Sequence, residues 1–327
     1  MKALVTGSTG FVGSNLVDAL LRQKYQVRCL IRRETKLKTG KDDPVEFITG
    51  DYSNQESIEA AVAGVDYIFH VGGVTKSKTK GGYYSGNVKP TISLLNAALA
   101  ANQNLRRFVL ISSQTATGPG KDAIPVDEST PCHPITTYGK SKLAAERECL
   151  AAKERIPLTI IRPPAVYGPR DKDIFEFFNS ANKHLLAMSG FGKKMLSMVH
   201  VYDLVDGIIL AAESPKALGQ IYFIANERAY DWDALAAITK RALKKWAIKV
   251  RIPHSMIYTI ATVSEALARI QGKAALINIE KARDMVQKNW ICSAEKAVKD
   301  LGYQSKLSIE AGIENTITWY RENGWIK

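Results

Sequence analysis

Tyr138 and Lys142 stand four residues apart in the stretch "TTYGKSK" (136–142). On a helix that spacing places both side chains on one face, one turn apart. A phenol beside an ammonium group is either surface decoration or a proton donor held ready for a carbonyl or hydroxyl oxygen. Free tyrosine, with a pKa of ~10, is a poor base at neutral pH. A nearby cation stabilises the phenolate, and each pKa unit requires only ~1.4 kcal/mol of differential interaction. The pair therefore suits acid–base work at an oxygen atom, provided that other elements bring a substrate and an electron carrier to it.

A candidate carrier site lies at the N-terminus. "VTGSTGFVG" (5–13) spaces Gly7, Gly10 and Gly13 directly after an apolar strand pattern and at the opening of a helical one. Such a loop lets backbone N–H groups and the positive helix end approach a pyrophosphate. Gly7 permits the tight turn, and Gly13 lets helix and strand pack. The end of the second strand selects the cofactor: an acid there binds a ribose 2′-hydroxyl, whereas arginine accommodates a 2′-phosphate. Here the residues are Ile31, Arg32 and Arg33, with no acid before Glu34. NADP(H) is therefore the preferred expectation, with NAD(H) as the alternative. Asp51, in "GDYSN", can accept a hydrogen bond from an adenine amino group. Its other use is to cap the helix that follows, for which Ser53 or Asn54 is better suited.

The elements needed to position these residues are legible as a rhythm. Strand patterns at 2–7, 25–32, 45–51, 65–73, 106–113 and 157–168 alternate with helical patterns at 11–24, 54–64, 87–102 and 137–155. This alternation predicts an α/β fold with a doubly wound parallel (Rossmann) sheet. After Gly168 the rhythm changes. A helix and loop are expected over 173–190, an α/β pair over 199–226, and mostly helix from 231 onward, with one strand candidate at 248–253. The predicted division is a dinucleotide-binding domain of 1–168 plus about 199–226, and a smaller, mostly helical C-terminal substrate lobe of about 169–198 plus 227–327.

Composition narrows the alternatives. Four scattered cysteines with no C-x-x-C spacing argue against a zinc site or disulfide framework and fit a reducing cytoplasm. The N-terminal apolar run is too short for a signal peptide, and no stretch reaches the ~18 apolar residues of a membrane span. The apolar segment 255–270 is expected to be a core or interface helix, with peripheral membrane contact as the lesser alternative. A net charge of +13 favours anionic partners. However, there is no recognition-helix motif, zinc spacing or aromatic-interleaved basic stripe, so a nucleic-acid partner is not expected.

Taken together, "VTGSTGFVGSNLV", "GDYSN", "VDYIFHVGG", "NVKPTISLLNAA", "RFVLISS", "TYGKSKLAAE" and "IRPPAVYGP" closely resemble the extended short-chain dehydrogenase/reductase family. "VHVYDLVDG" and the C-terminal tail extend the likeness over nearly the whole chain. The resemblance implies an NAD(P)-dependent oxidoreductase, either a ketone reductase or a secondary alcohol dehydrogenase. In this assignment Tyr138 is the general acid/base and Lys142 binds the nicotinamide ribose. Ser113 is the hydroxyl that orients the substrate oxygen; it is selected over Ser112 and Thr115 because the family's catalytic hydroxyl lies five residues before a closing glycine, here Gly118. The implied cofactor set is Gly7, Thr9, Gly10, Phe11, Val12, Gly13, Arg32, Arg33, Asp51, Tyr52, Val71, Tyr138, Lys142 and Pro163, supported by Asn87. No metal is implied, and a homodimer through the helices at 87–102 and 137–155 is expected.

Within the family, Gln114 and Thr115 replace the acid pair of sugar-nucleotide 4,6-dehydratases, which disfavours that reaction. The strand "VDYIFHVGG" and the tail resemble dihydroflavonol-4-reductases and 3β-hydroxysteroid dehydrogenases. "GFGKKMLSMVHVYDLVDG" instead resembles sugar-nucleotide epimerases, in which Lys193 and Lys194 would face a diphosphate and NAD would stay bound. A non-catalytic dinucleotide-binding regulator is the least supported reading, because Tyr138 and Lys142 are both present. Lys76, Lys78 and Lys80, in a loop that could border the cleft, raise the expectation of an anionic small-molecule substrate. His70 is expected to be packed. Of the five histidines, His200 is the one singled out for mutation.

Overall fold

Seven short apolar strands form the central sheet of the structure, a computed structural model that describes residues 1–32, 44–121, 123–271, 275 and 278–327. They are β1 (Lys2–Thr6), β2 (Gln26–Ile31), β3 (Val45–Thr49), β4 (Tyr67–His70), β5 (Arg107–Ile111), β6 (Leu158–Arg162) and, later in the chain, β11 (Gln220–Phe223). Between the last two lie β7 (Ala165–Tyr167), β8 (Leu185–Ser189), β9 (Met195–Leu196) and β10 (Met198–His200). Beyond them come β12 (Tyr230–Asp231), β13 (Ile248–Ile252) and β14 (Asn289–Trp290). The helices are α1 (Phe11–Arg22), α2 (Gln55–Val62), α3 (Lys80–Ala101), α4 (Thr137–Ala151), α5 (Phe175–Asn182), α6 (Val201–Glu213), α7 (Trp232–Leu243), α8 (His254–Ile270), α9 (Ile279–Val286), α10 (Glu295–Leu301) and α11 (Ile309–Glu322).

The sheet order is β11-β6-β5-β4-β1-β2-β3, and every pairing is parallel. The order reverses at β1, so the crevice between the carboxyl ends of β1 and β4 is the switch point at which such sheets bind ligands. Thr6 pairs with His70 there. The inner strands are mostly apolar because both faces are covered, whereas the edge strand β3 is largely exposed. Ala3 and Val5 of β1 face one core with Leu16 and Leu20 of α1 and Leu204 and Ile208 of α6. Leu4, between them, faces the other core with Ile58 of α2, Leu94 of α3 and Cys149 of α4.

A third core, including Phe178, Leu186, Leu235, Ile313 and Tyr320, belongs to α5, β8, α7 and α11. The chain after 227 is not wholly separate from the sheet. Ala294, Ala297 and Tyr303 join the first core.

Several elements depart from the patterns. The third helix begins at Lys80 rather than 87, because the Thr79 hydroxyl accepts from the Gly82 N–H at 3.1 Å and caps it. Gly81, Gly82 and Pro90 look like breakers, yet all lie inside this helix. The expected strand 157–168 is split at Pro163-Pro164 into β6 and β7. The expected loop before 190 contains β8, which pairs with β13.

Candidate active site

The site begins at the glycine loop. Gly7 adopts a φ of +67°, and a Cβ there would fall 2.7 Å from the Gly72 backbone, so the ends of β1 and β4 touch main chain to main chain. A Cβ on Gly13 would lie 2.1 Å from the Gly7 carbonyl oxygen, which only glycine avoids. The first helical bond of α1 runs from Ser14 N–H to the Gly10 carbonyl at 2.9 Å. The amides of Phe11, Val12 and Gly13 therefore have no partner within the helix and can receive an anion. Thr9 is exposed in the same loop and Val71 is half-buried across from it. A cradle that tolerates no added methyl fits a dinucleotide pyrophosphate.

Arg32 is exposed directly after β2. Arg33 lies outside the described residues, with most of the basic cluster it begins. The Asp51 carboxylate accepts from Ser53 N–H at 2.8 Å and Ser53 Oγ at 2.5 Å. These bonds, with the Arg32 charge, hold it below the usual carboxylate range. Asn54 is the cap of α2, accepting from Ser57 N–H at 3.0 Å. The Tyr52 side chain turns inward, where its hydroxyl stands close to Gly72 and Thr6.

The reacting groups come from β5 and α4. Thr136 caps α4 by accepting from Gly139 N–H at 3.1 Å, which places Tyr138 in the first turn. Burial pushes the Tyr138 hydroxyl up to about 12, and the neighbouring Ser113 side chain partly offsets the rise. Ser113 Oγ also accepts from Thr115 N–H at 3.2 Å and Thr115 Oγ1 at 2.9 Å. Lys142 is buried one turn further on, and its ammonium donates to the Ile111 carbonyl at 2.6 Å. Burial lowers its pKa to about 8, with Glu146 acting in the opposite direction. Pro163 is buried at the end of β6, and its carbonyl accepts from Gln114 N–H at 2.9 Å.

Asn87 fastens these parts together. Its Oδ1 accepts from Val74 N–H at 2.8 Å, and its Nδ2 donates to the Val74 carbonyl at 3.1 Å and to Ser141 Oγ at 2.9 Å. His70 is buried between Thr6 Oγ1 at 2.8 Å and Thr91 Oγ1 at 3.0 Å. Burial, aided by the Lys142 charge, depresses its pKa to about 3, so it is a neutral strut. His200 caps α6 by accepting from Tyr202 N–H at 3.2 Å.

One supporting feature was missed in the sequence. Arg162 donates to both oxygens of Glu146, at 3.0 and 2.6 Å, and both residues are buried. Glu146 follows Lys142 by four residues, so the spacing held the signal, but its partner lies on β6.

Tyr138 opens onto a cleft lined also by Lys76, Tyr83, Asp173, Asn278, Glu280 and Asp284. Lys76 is paired with Asp173 across it at 2.5 Å. Glu280 accepts from the Thr137 amide at 3.0 Å, anchoring α9 over the start of α4. Burial and the Glu280 charge raise Asp284 to about 7. Lys80 stands in the first turn of α3 rather than in the cleft lining. Lys194 is buried, donating to Ser189 Oγ at 2.8 Å and to the Met285 carbonyl, while Lys193 remains exposed. Among the described residues, no group of three or more His, Cys, Asp or Glu could hold a metal ion.

Comparison with known proteins is consistent with this geometry. The model of the NAD dependent epimerase/dehydratase family matches residues 3–225. Curated relatives include a ceramide reductase of Caulobacter vibrioides, 27% identical over 98% of this chain and 95% of the relative. A 3-beta-hydroxysteroid dehydrogenase of Mycolicibacterium neoaurum is 29% identical over 98% and 92% of the two chains. Among solved structures, the crystal structure of gox2253 superposes with a TM-score of 0.82 at 29% identity, covering 99% of both chains. A UDP-glucuronic acid 4-epimerase of Bacillus cereus shares the fold, with a TM-score of 0.80 at 22% identity over 99% of this chain and 100% of the other.

Proposed function

Since the chain belongs to the NAD dependent epimerase/dehydratase family and is an NAD(P)-dependent oxidoreductase, we propose that it reduces a ketone to a secondary alcohol with Ser113, Tyr138 and Lys142 as its reacting groups. The observation that carries this reading is Tyr138 opening onto a cleft beside Ser113, with the Lys142 ammonium buried one turn away. A hydroxyl held near pKa 12 is protonated at neutral pH and ready to donate. Ser113 fixes the carbonyl oxygen of the substrate, and Tyr138 delivers the proton to that oxygen as it becomes an alkoxide. Lys142 holds the ribose of the cofactor.

The bound dinucleotide supplies the hydride. Gly7, Gly10 and the amides of Phe11 to Gly13 would hold its pyrophosphate, Asp51 its adenine, and Val71 and Pro163 would border the nicotinamide end. We assign NADP(H) as the preferred cofactor, supported by exposed Arg32 at the end of β2. The sequence alone raises an anionic substrate. Because Asp173 pairs with Lys76, and Glu280 and Asp284 line the cleft against Lys281, the lining has no excess of positive charge, and we propose a neutral ketone instead. The reductase and dehydrogenase relatives, at 27–29% identity, support this over a sugar nucleotide.

The test is oxidation of NADPH, followed by absorbance, with a panel of sterol, long-chain and aromatic ketones beside UDP-sugars. Tyr138→Phe should lower kcat by about 10²–10⁴-fold and leave cofactor affinity nearly unchanged. Turnover of a UDP-sugar to its epimer, with no ketone reduced, would reject the reading.

A further inference from the structure

On the lobe side of the molecule, apolar surface is left uncovered in an ordered pattern. Helix α8 packs through Ile257 and Ala261, which meet Ala282 of α9 and Ile252 of β13. Its other side presents Met256, Ile260, Val263 and Leu267, each between 42% and 53% exposed, and Ile270, 84% exposed. These positions step by four, three, four and three residues, so they form one stripe along the helix. The adjoining two-stranded sheet adds further apolar surface. Ile248 pairs with Leu185 and Val250 with Ala187. All four are exposed and share the face that α8 covers only at Ile252. Trp246 at one end of this sheet is 65% exposed, and Phe191 at the other is 70% exposed.

Exposed lysines stand at both ends of this surface. Lys183 and Lys244 are exposed on either side of the Trp246 end, where Ile248 N–H bonds the His184 carbonyl. At the opposite end Lys288 is exposed by the start of α8, and Lys193 is exposed beside Phe191, its ammonium 4.0 Å from the Asp231 carboxylate. The helix itself carries two charged residues, Glu265 and Arg269. The positions flanking its stripe include Thr259, Thr262 and Ala266. A helix seam between two copies is ordinarily flanked by charged pairs that set partner and register. An apolar stripe edged by neutral residues and rimmed by cations matches the interface of an anionic bilayer.

We propose that α8 and the β8–β13 face form a membrane-surface docking site for anionic phospholipid. The apolar stripe lies in the headgroup region, and the lysines at both ends meet lipid phosphates. Because α8 packs on α9, and α9 supplies Asn278, Glu280 and Asp284 to the cleft, docking brings the cleft mouth next to the bilayer. That last clause rests on the cleft being the substrate site; the docking itself does not.

The test is co-sedimentation of the full-length protein with vesicles of phosphatidylcholine and phosphatidylglycerol, with pure phosphatidylcholine vesicles alongside. The protein should pellet with the anionic vesicles, less so as salt rises, and tryptophan emission should shift to the blue. Val263→Ser with Leu267→Ser should weaken partition by at least about tenfold, since each removes an apolar side chain from the lipid. Lys183→Glu with Lys244→Glu should remove the preference for anionic vesicles. Unchanged NADPH binding in both variants shows that they fold. Failure of the wild type to pellet at low salt, or full partition of the serine variant, would overturn the proposal. So would a wild-type dimer that ignores vesicles and becomes monomeric in the serine variant, because the face would then belong to a second copy.

Discussion

Glu146 shows how strongly the site depends on a residue that touches no substrate. It and Arg162 are both buried and joined by two hydrogen bonds, so removing either charge strands the other in a low-dielectric core. Glu146→Gln should lower stability by roughly 3–5 kcal/mol, measured by urea unfolding, more than an ordinary surface change. It should also let the Lys142 pKa fall further, because Glu146 opposes the effect of burial there.

His200 gives a prediction in pH. Burial depresses its pKa to about 4, so the folded state binds its proton less readily than the unfolded chain, where the value is about 6.5. Stability from the neutral ring is complete above the unfolded value and is lost as pH falls from 6.5 toward 4. The full effect is about 3 kcal/mol. His200→Asn keeps a capping oxygen without a titrating ring. Its unfolding free energy should fall less between pH 6.5 and 4 than that of the wild type, whatever its absolute stability. Equal slopes would assign the acid sensitivity to other groups.

Tyr138 and Lys142 were legible from type and spacing and Ser113 only through the family resemblance; in the structure the Ser113 side chain neighbours Tyr138. The Glu146–Arg162 pair was not legible, because sixteen residues and a helix-to-strand turn separate the partners. The cleft carboxylates Glu280 and Asp284 come from α9 in the lobe, where no spacing code marks them.

At the scale of elements, the loop between β1 and α1 holds the most sharply defined constraint. Gly13→Ala would drive a methyl group into the Gly7 carbonyl. The loop must open or α1 must move, so NADPH affinity should fall by at least about tenfold and Tm should drop together with it. A variant with wild-type affinity would remove the glycine loop from the cofactor site.

The alternation of strands and helices was readable because each βα unit buries a continuous apolar run, and all seven sheet strands fall inside or beside the expected ones. The early start of α3 was hidden by its own residues. Gly81 and Gly82 are poor helix formers, and Pro90 lacks an N–H, so local propensity argued against a helix that packing and the Thr79 cap impose. β8 was hidden because its strand partner, β13, lies about sixty residues away in sequence.

For the whole molecule, we keep the division into a dinucleotide half and a substrate lobe as a proposal, with 294–303 packing on the sheet half. A homodimer through α3 and α4 is also a proposal. It would cover Val88, Ile92 and Leu143, which are half-buried on that helix pair. Light scattering should give twice the 36.0 kDa chain mass, and Ile92→Glu should return the protein to a monomer. No described helix is long and apolar enough to cross a membrane. The fold class could be read because every βα unit repeats the same pattern. The substrate could not, because the cleft beside Tyr138 is lined by side chains from α9 and from the loops after β4 and β7 that meet only once the chain is folded.

A ketone reductase of the proposed kind exchanges its cofactor at every turnover. The most direct test is fluorescence titration of the purified protein with NADPH and NADH, after its bound nucleotide has been extracted and identified. The protein should retain little nucleotide, bind reversibly, and bind NADPH more tightly, with that affinity weakening toward the NADH value when Arg32→Ala is introduced. Tightly retained NAD, with no response to added NADPH, would contradict this and mark the protein as an enzyme that recycles its own cofactor.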